Sequence, residues 1–287
     1  MAGTLYLVAT PIGNLEDMTL RAIRVLKEAD LIACEDTRTS RPLLKAYDIG
    51  TPVTSYHKFN EEEKSGELVR RLLAGENIAL ITDAGMPAIS DPGEILVKRC
   101  MEVSVPVTAV PGASASVTAL ALSGADTRRF VFEGFLPQAN SEKKEVLARI
   151  ADETRTMIFY EAPHRLARTL AALMEVLGEA RGVAICKELT KKFETVRRTT
   201  LGEAAARFGG TGEDPDGADK PRGEYVLVID GKSKKELAAE TAARWEQMDI
   251  PAHVAHYEQL GLDRKEAMKA AARDRGITKR DVYRALL

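Results

Sequence analysis

Ile78-Ala79-Leu80-Ile81-Thr82-Asp83-Ala84-Gly85-Met86-Pro87-Ala88-Ile89-Ser90-Asp91-Pro92-Gly93 reads as a short apolar strand running into a loop of Gly, Pro, Ser and Asp. Gly93–Val103 follows with amphipathic spacing, so the order is strand, polar loop, helix. The same order recurs on both sides. Leu5–Ala9, Leu31–Cys34 and Val105–Val110 are further short strand candidates, and Thr19–Ala29 and Glu61–Ala74 are helical candidates between them. In the latter, Glu67, Leu68, Leu72 and Leu73 recur at helical spacing. Strands separated by helices of roughly 10–15 residues imply βαβ units and a mostly parallel sheet. An N-terminal α/β domain is expected over residues 1–124.

From about Thr127 the pattern changes. Phe130–Phe132, Thr156–Tyr160, Val183–Lys187, Glu194–Thr200 and Tyr225–Ile229 read as strands, with helices over Ser141–Asp152 and Pro163–Leu177. This predicts a second α/β domain with a mixed sheet over residues 125–232. Gly209–Gly223, rich in Gly, Pro and Asp, reads as a mobile surface loop. Residues 233–287 read as a helical tail with helices at Ala238–Trp245, Val254–Leu260, Arg264–Arg273 and Lys279–Leu286. Gly276 suits a helix C-terminus and Thr278 an N-cap, so the last two helices resemble a helix-turn-helix. Trp245 is expected to anchor the tail.

The chain has 287 residues, is 45% hydrophobic and 29% charged, and so has the material for ordinary globular cores. Disordered and collagen-like classes are excluded. The apolar runs are too short for a transmembrane helix, and the N-terminus lacks the basic region of a signal peptide. Cys34, Cys100 and Cys186 are odd in number and far apart, which argues for buried thiols in a reducing, cytoplasmic setting and against a zinc site. His253 and His256 lack a third ligand nearby and are expected at the surface, as is His164; no metal is expected. The net charge of −2 hides an asymmetry, because Arg264–Leu287 carries eight basic and three acidic residues.

Three glycine-bearing loops each follow a strand of the first domain: Thr10–Leu15, Thr82–Gly93 and Val110–Ser116. In open parallel sheets, ligands bind beyond the carboxyl ends of the strands, and helix N-termini there favour carboxylate or phosphate. Three converging loops imply one sizeable small-molecule site. None contains G-x-G-x-x-G, which weighs against a nicotinamide dehydrogenase, and G-x-x-x-x-G-K-[ST] is absent.

The residues Thr10-Pro11-Ile12-Gly13-Asn14-Leu15, Glu35-Asp36-Thr37-Arg38, the Thr82–Gly93 loop, Val110-Pro111-Gly112-Ala113-Ser114-Ala115, Phe159–Arg165 and Lys187–Lys191 occur in order. Together they resemble the ribosomal RNA small-subunit methyltransferase I family, within the tetrapyrrole methylase superfamily. The resemblance implies two α/β domains enclosing S-adenosylmethionine, a homodimer, and 2′-O-methylation of a cytidine in the decoding region of 16S ribosomal RNA. It places Pro11, Asp83, Gly85, Met86, Ile89, Ser114 and Ala115 of the first domain at the cofactor pocket, with Tyr160, Glu161 and Leu189 closing over it from the second.

A 2′-hydroxyl must lose its proton as it is methylated. Asp36, Glu35, Glu161, Glu188 and Lys187 are candidate bases, the lysine only if burial lowers its pKa; Asp36 or Thr37 equally suits a helix cap. Arg38, Arg41, Lys45, His57, Lys58, Arg165, Arg168, Lys187, Lys191, Lys192, Arg197 and Arg198 are candidate RNA contacts, as are Lys265, Lys269, Arg273, Arg280 and Arg284 in the tail. Tyr56 or Phe59 is a candidate for stacking an unpaired base. Two other readings stay open: a superfamily methylase acting on a small molecule or a modified amino acid, and a non-enzymatic RNA-binding module.

Overall fold

The computed structural model describes residues 1–210 and 222–287. Most of the expected Gly209–Gly223 loop lies outside the described residues. The first unit runs β1 (Leu5–Val8), α1 (Leu20–Glu28), β2 (Leu31–Cys34), α2 (Thr37–Ala46), β3 (Val53–Ser55), α3 (Glu61–Leu73), β4 (Ile78–Ile81), α4 (Glu94–Glu102), β5 (Val107–Val110) and α5 (Ala115–Leu122). Its sheet has the order β3-β2-β4-β1-β5, with every pair parallel. β2 and β4 are buried along their whole length, as strands covered on both faces must be.

Side-chain alternation sorts the helices. Ile32, Cys34, Ala79 and Ile81 pack on α1 and α2 through Ala22, Val25, Leu26 and Leu44. Leu31, Ala33, Ile78 and Leu80 pack on α3 and α4 through Leu68, Leu72, Leu96 and Cys100. The chain thus leaves β1 toward one face and the adjacent β4 toward the other. Such a reversal opens a crevice at the strand ends.

The second unit runs β6 (Phe130–Phe135), α6 (Asn140–Ile150), β7 (Thr156–Glu161), α7 (Leu166–Leu177), β8 (Gly182–Lys187), β9 (Thr195–Thr200), α8 (Leu201–Gly209) and β10 (Tyr225–Ile229). Its sheet is mixed, in the order β6-β7-β10-β8-β9; only β6 and β7 are parallel. One face is covered by α7 and α8, with Leu166, Leu170, Leu173 and Leu201 against Phe159, Ile185 and Leu227. The other face meets the first unit: Ile158, Ala184, Cys186, Val226 and Val228 pack on Ala119 and Leu120 of α5 and on Ile12. All three cysteines are buried and free.

The tail forms α9 (Lys234–Glu246), α10 (Ile250–Gln259), α11 (Arg264–Asp274) and α12 (Lys279–Ala285) around Val254, Ala267, Met268, Ala271 and Val282. α11 ends as its sequence requires. Gly276 takes φ +64°, its amide reaches the Arg273 carbonyl, and the Ile277 amide reaches that of Ala272, which is a Schellman closure. Thr278 and Asp281 then form a capping box for α12. Trp245 stacks on His253 at 3.8 Å between ring centroids. His253 itself is fully buried, not at the surface as expected; burial, and then the Arg275 charge beside it, hold its pKa down. No helix among the described residues is long and apolar enough to cross a membrane.

Candidate active site

The three glycine loops converge at the crevice between β1 and β4. Thr10 and Gly85 exchange backbone hydrogen bonds of 2.9 and 3.1 Å, which ties the first loop to the second. Gly85 has φ +82°, and a Cβ there would touch Ile12 at 3.4 Å and the Ala113 carbonyl at 3.7 Å, so the three chains meet around it. The second unit closes over them. At Gly13 a Cβ would lie 2.4 Å from Lys191 Cγ and 3.0 Å from the Leu189 carbonyl, so only glycine allows this approach. The Ser116 amide donates to Tyr160 Oη at 3.1 Å, linking the first turn of α5 to β7.

The result is a cleft of about 370 Å³, within the range of small-molecule sites. Ile12, Met86, Ile89, Leu189 and Val226 give it apolar walls; Asp83, Asp91 and Ser114 give it polar points, and Glu161 lines it with its side chain inaccessible. α5 begins at this cleft with no cap from the Ser114 side chain, and apart from Ser116, whose amide Tyr160 Oη takes, its opening amides can meet an anionic group. Ala88 and Ser90 both hold positive φ, near +68° and +65°, on either side of Ile89, whose side chain stays half exposed over the cleft. Non-glycine residues in this region are rare and strained, and such strain gathers at ligand sites.

Nine of the ten residues expected at a cofactor pocket line this cleft: Asp83, Gly85, Met86, Ile89, Ser114, Ala115, Tyr160, Glu161 and Leu189. Pro11 is buried in the loop below and is not part of the lining.

The candidate bases are scattered. Asp36 caps α2, accepting from the Arg38 amide at 2.8 Å and pairing with the Arg38 guanidinium at 2.7 Å. These contacts hold its pKa near 2, too low for effective proton abstraction at neutral pH. Glu188 binds Lys191 Nζ at 2.9 Å and the Glu224 amide at 3.0 Å. Burial pushes its pKa up, but these hydrogen bonds and the lysine charges bring it down overall. Lys187 shares the parity of Val183 and Ile185, which face α7 and α8, and lines a recess with Thr195, Arg197 and Phe208. It therefore sits on the face of the second sheet turned away from the cleft. Glu35 lies behind the cleft wall, where its Oε2 accepts from Thr82 Oγ1 at 3.0 Å.

That bond leads to the group the sequence reading missed. Asp91 lines the cleft and shares the Thr82 hydroxyl with Glu35. One hydroxyl proton cannot satisfy two ionised carboxylates. Burial first, and then the charges of Glu35 and Asp83, push the pKa of Asp91 up to about 6. Asp83 is raised as well, by burial and then by Glu35. The only signal in the sequence was a second aspartate in the loop that already contains Asp83.

The candidate RNA contacts divide similarly. Arg38, Arg41, Lys45, Lys58, Lys192 and Arg280 are exposed, and His57 is half-buried. Arg165 is committed inside the protein: it pairs with Glu161 at 3.3 Å and donates to the Leu136 carbonyl. Lys191 bridges Glu188 and Glu224, both at 2.9 Å. Tyr56 is fully buried and bonded to Ser65, so of the two candidate stacking rings only Phe59 faces solvent.

Residues 4–205 match the family described as Tetrapyrrole (Corrin/Porphyrin) Methylases. The chain is 47% identical over 283 residues to a protein named ribosomal RNA small subunit methyltransferase I from Halalkalibacterium halodurans, a match covering 98% of this chain and 93% of that one. It is 46% identical to the protein of the same name from Bacillus subtilis, over 99% of this chain and 94% of that one. Among solved structures, uroporphyrin III C-methyl transferase from Thermus thermophilus superposes with a TM-score of 0.57 at 19% identity, covering 79% of this chain and 97% of that one; this likeness concerns the fold.

Proposed function

The chain belongs to the tetrapyrrole methylase family and, within it, to the ribosomal RNA small subunit methyltransferase I family, and from that premise we propose that it transfers a methyl group from S-adenosylmethionine to the 2′-hydroxyl of a cytidine in the decoding region of 16S ribosomal RNA. The observation that carries this reading is the cleft at the β1–β4 crevice, an apolar slot with an uncapped helix start and carboxylates among its polar points. Those residues fit the methyl donor. Ile12, Met86 and Leu189 offer walls for an adenine, and the amides opening α5 suit a methionyl carboxylate. The carboxylates of Asp83 and Asp91 favour a sulfonium over the neutral sulfide left after transfer, which promotes exchange of product for substrate. When bound, S-adenosylmethionine supplies the electrophilic methyl group.

The protein's own part is orientation and proton transfer. Holding the ribose oxygen in line with the departing sulfur supplies much of the rate. Asp91, ionised above about pH 6, accepts the hydroxyl proton as the oxygen attacks; the Thr82 hydroxyl orients its carboxyl, and the Glu35 charge keeps its proton affinity high. Arg38, Lys58 and Lys192 contact phosphates from the rim. Kinship also carries the expectation of a homodimer working in the cytoplasm.

Calorimetry and a radiolabelled methyl-transfer assay test this reading. The expected outcome is that the protein binds S-adenosylmethionine more tightly than S-adenosylhomocysteine and labels 30S subunits from cells lacking the gene at one ribose. Label entering a porphyrinoid and not the subunit would replace the proposed substrate. Absence of any donor affinity would favour an RNA-binding module.

A further inference from the structure

Two phenylalanines stand in solvent where apolar rings are costly. Phe59 is 96% exposed and Phe193 is 70% exposed. Each directly follows a lysine, in His57-Lys58-Phe59 and Lys191-Lys192-Phe193. Each also sits on a turn that is firmly held. In the first, the His57 amide donates to Asn60 Oδ1 at 2.8 Å and the Asn60 amide returns to the His57 carbonyl at 2.9 Å. In the second, the Lys191 amide reaches the Glu188 carbonyl at 3.0 Å, the Glu194 amide reaches that of Lys191 at 3.1 Å, and the Thr190 amide binds the Glu194 carboxylate at 2.6 Å. Lys192 Nζ lies 5.6 Å from the Phe193 centroid, and the His57 ring meets Phe59 edge-on at 6.1 Å. Turns held in this way spare the backbone an ordering cost on binding.

Their placement matters more. Phe59 follows β3, so it stands at the carboxyl edge of the first sheet. Phe193 follows the 188–191 turn, which rests on Gly13 just beyond β1 at the same edge. β2 and β4 lie between β3 and β1, so the strands that the two turns adjoin are three spacings, about 14 Å, apart. The cleft opens between β1 and β4, within that span. α2, which follows β2, starts at this edge with Arg38 and Arg41 exposed, whereas α3 opens beyond Phe59 with Glu61, Glu62 and Glu63. The exposed cations nearest the cleft are thus those of the first half of α2, and the acidic run lies on the far side of Phe59.

Resting on the reading of an RNA substrate, we infer that Phe59 and Phe193 are two base-stacking platforms, one from each unit, which hold unpaired nucleotides on either side of the one presented to the cleft. An aromatic ring in solvent beside ammonium groups suits a nucleotide, whose base stacks while its phosphate meets the cation. The lysines select against an uncharged apolar partner. The stacking is tolerant of sequence, so these residues set affinity for a single strand and leave the choice of nucleotide to the cleft.

The test titrates a single-stranded oligoribonucleotide of the decoding region, and a duplex of the same sequence, into wild type, Phe59→Ala, Phe193→Ala and the double variant. Each alanine is expected to weaken single-strand binding about tenfold and to raise KM, with kcat at saturating RNA, the melting temperature and donor affinity unchanged. Phe193→Trp should keep wild-type affinity, and its added indole emission should be quenched by the single strand and not by the duplex. If wild type binds and methylates RNA while both alanine variants keep its affinity, or if duplex quenches the indole equally, the platforms are refuted and the function stands. If wild type neither binds the oligonucleotide nor labels 30S subunits, the function falls and the platforms fall with it; if it labels the subunits without binding the oligonucleotide, the platforms are refuted and the function stands.

Discussion

Asp91→Asn is expected to lower methyl transfer by about a hundredfold to ten-thousandfold, the usual contribution of a positioned base, while the variant melts at a higher temperature than wild type at pH 8. The two effects share one cause. In the folded protein the Asp91 pKa stands near 6, above its ordinary 3.8, because burial and the charges of Glu35 and Asp83 disfavour the ionised form. The folded state therefore binds the proton more tightly than the unfolded chain. The stability this group contributes is complete below about pH 4 and is lost as the pH rises through about 6. At pH 8 the protein holds an ionised carboxylate where a neutral group would cost less, and the amide relieves that cost. Wild-type activity should fall as pH drops through about 6, because the base is then protonated. The variant's residual activity should lack that limb. Stopped-flow or single-turnover rates across pH 5–9, beside thermal melts, check both halves. A variant with wild-type rate, or one retaining the acid limb, would remove Asp91 as the base; a variant with a lower melting temperature would contradict the electrostatic account.

The same loop shows what the amino-acid order makes legible. A four-residue apolar strand followed by Gly, Pro and Asp marks a strand end, and three such ends in one parallel sheet must point the same way, so the convergence of Gly85, Ser114 and Ile12 follows from pattern alone. β3 escaped because Val53-Thr54-Ser55 is short and mostly polar and is defined by its pairing with β2. The distribution of charged groups was less legible for a similar reason. Cys186 and Lys187 are neighbours, but strand parity sends one toward the first unit and the other away, and the register that decides this is set by β10. Asp36 and Asp91 look alike as loop aspartates. One is a helix cap with pKa near 2, the other a half-buried group near 6, and the difference lies in Arg38 on one side and in burial, Glu35 and Asp83 on the other. Periodicity reports faces of elements; it does not report which carboxylate a distant strand brings alongside.

Arg165 and Glu161 carry this point into energetics. Four residues apart, they read as a rim cation and a cleft acid, but the structure makes them a single buried unit. The Glu161 side chain is inaccessible and that of Arg165 is 18% exposed. Glu161 accepts from Thr169 Oγ1 at 2.5 Å and from the Ala162 amide at 2.8 Å, besides the Arg165 guanidinium at 3.3 Å. Glu161→Ala strands all three donors: a hydroxyl inside α7, the amide that leads out of β7, and a guanidinium that loses its counter-charge. Breaking a buried pair from one side costs about 3–5 kcal/mol, because the remaining charge is left uncompensated. At about 2–4 °C per kcal/mol for a chain of this general size, the melting transition of the second unit should fall by roughly 6–20 °C. Glu161→Gln retains an acceptor for the hydroxyl and the amide and should recover much of that loss. Since Glu161, Ala162 and Pro163 all line the cleft, the alanine variant should also bind the methyl donor more weakly at temperatures where it remains folded. Calorimetric melts of the three proteins beside donor titrations at 15 °C decide the matter. An alanine variant that melts with wild type would mean that Arg165 finds solvent easily and that Glu161 is not a keystone of the fold. A glutamine variant with full stability but lost donor affinity would instead make Glu161 a direct ligand of the donor, its negative charge required by the sulfonium.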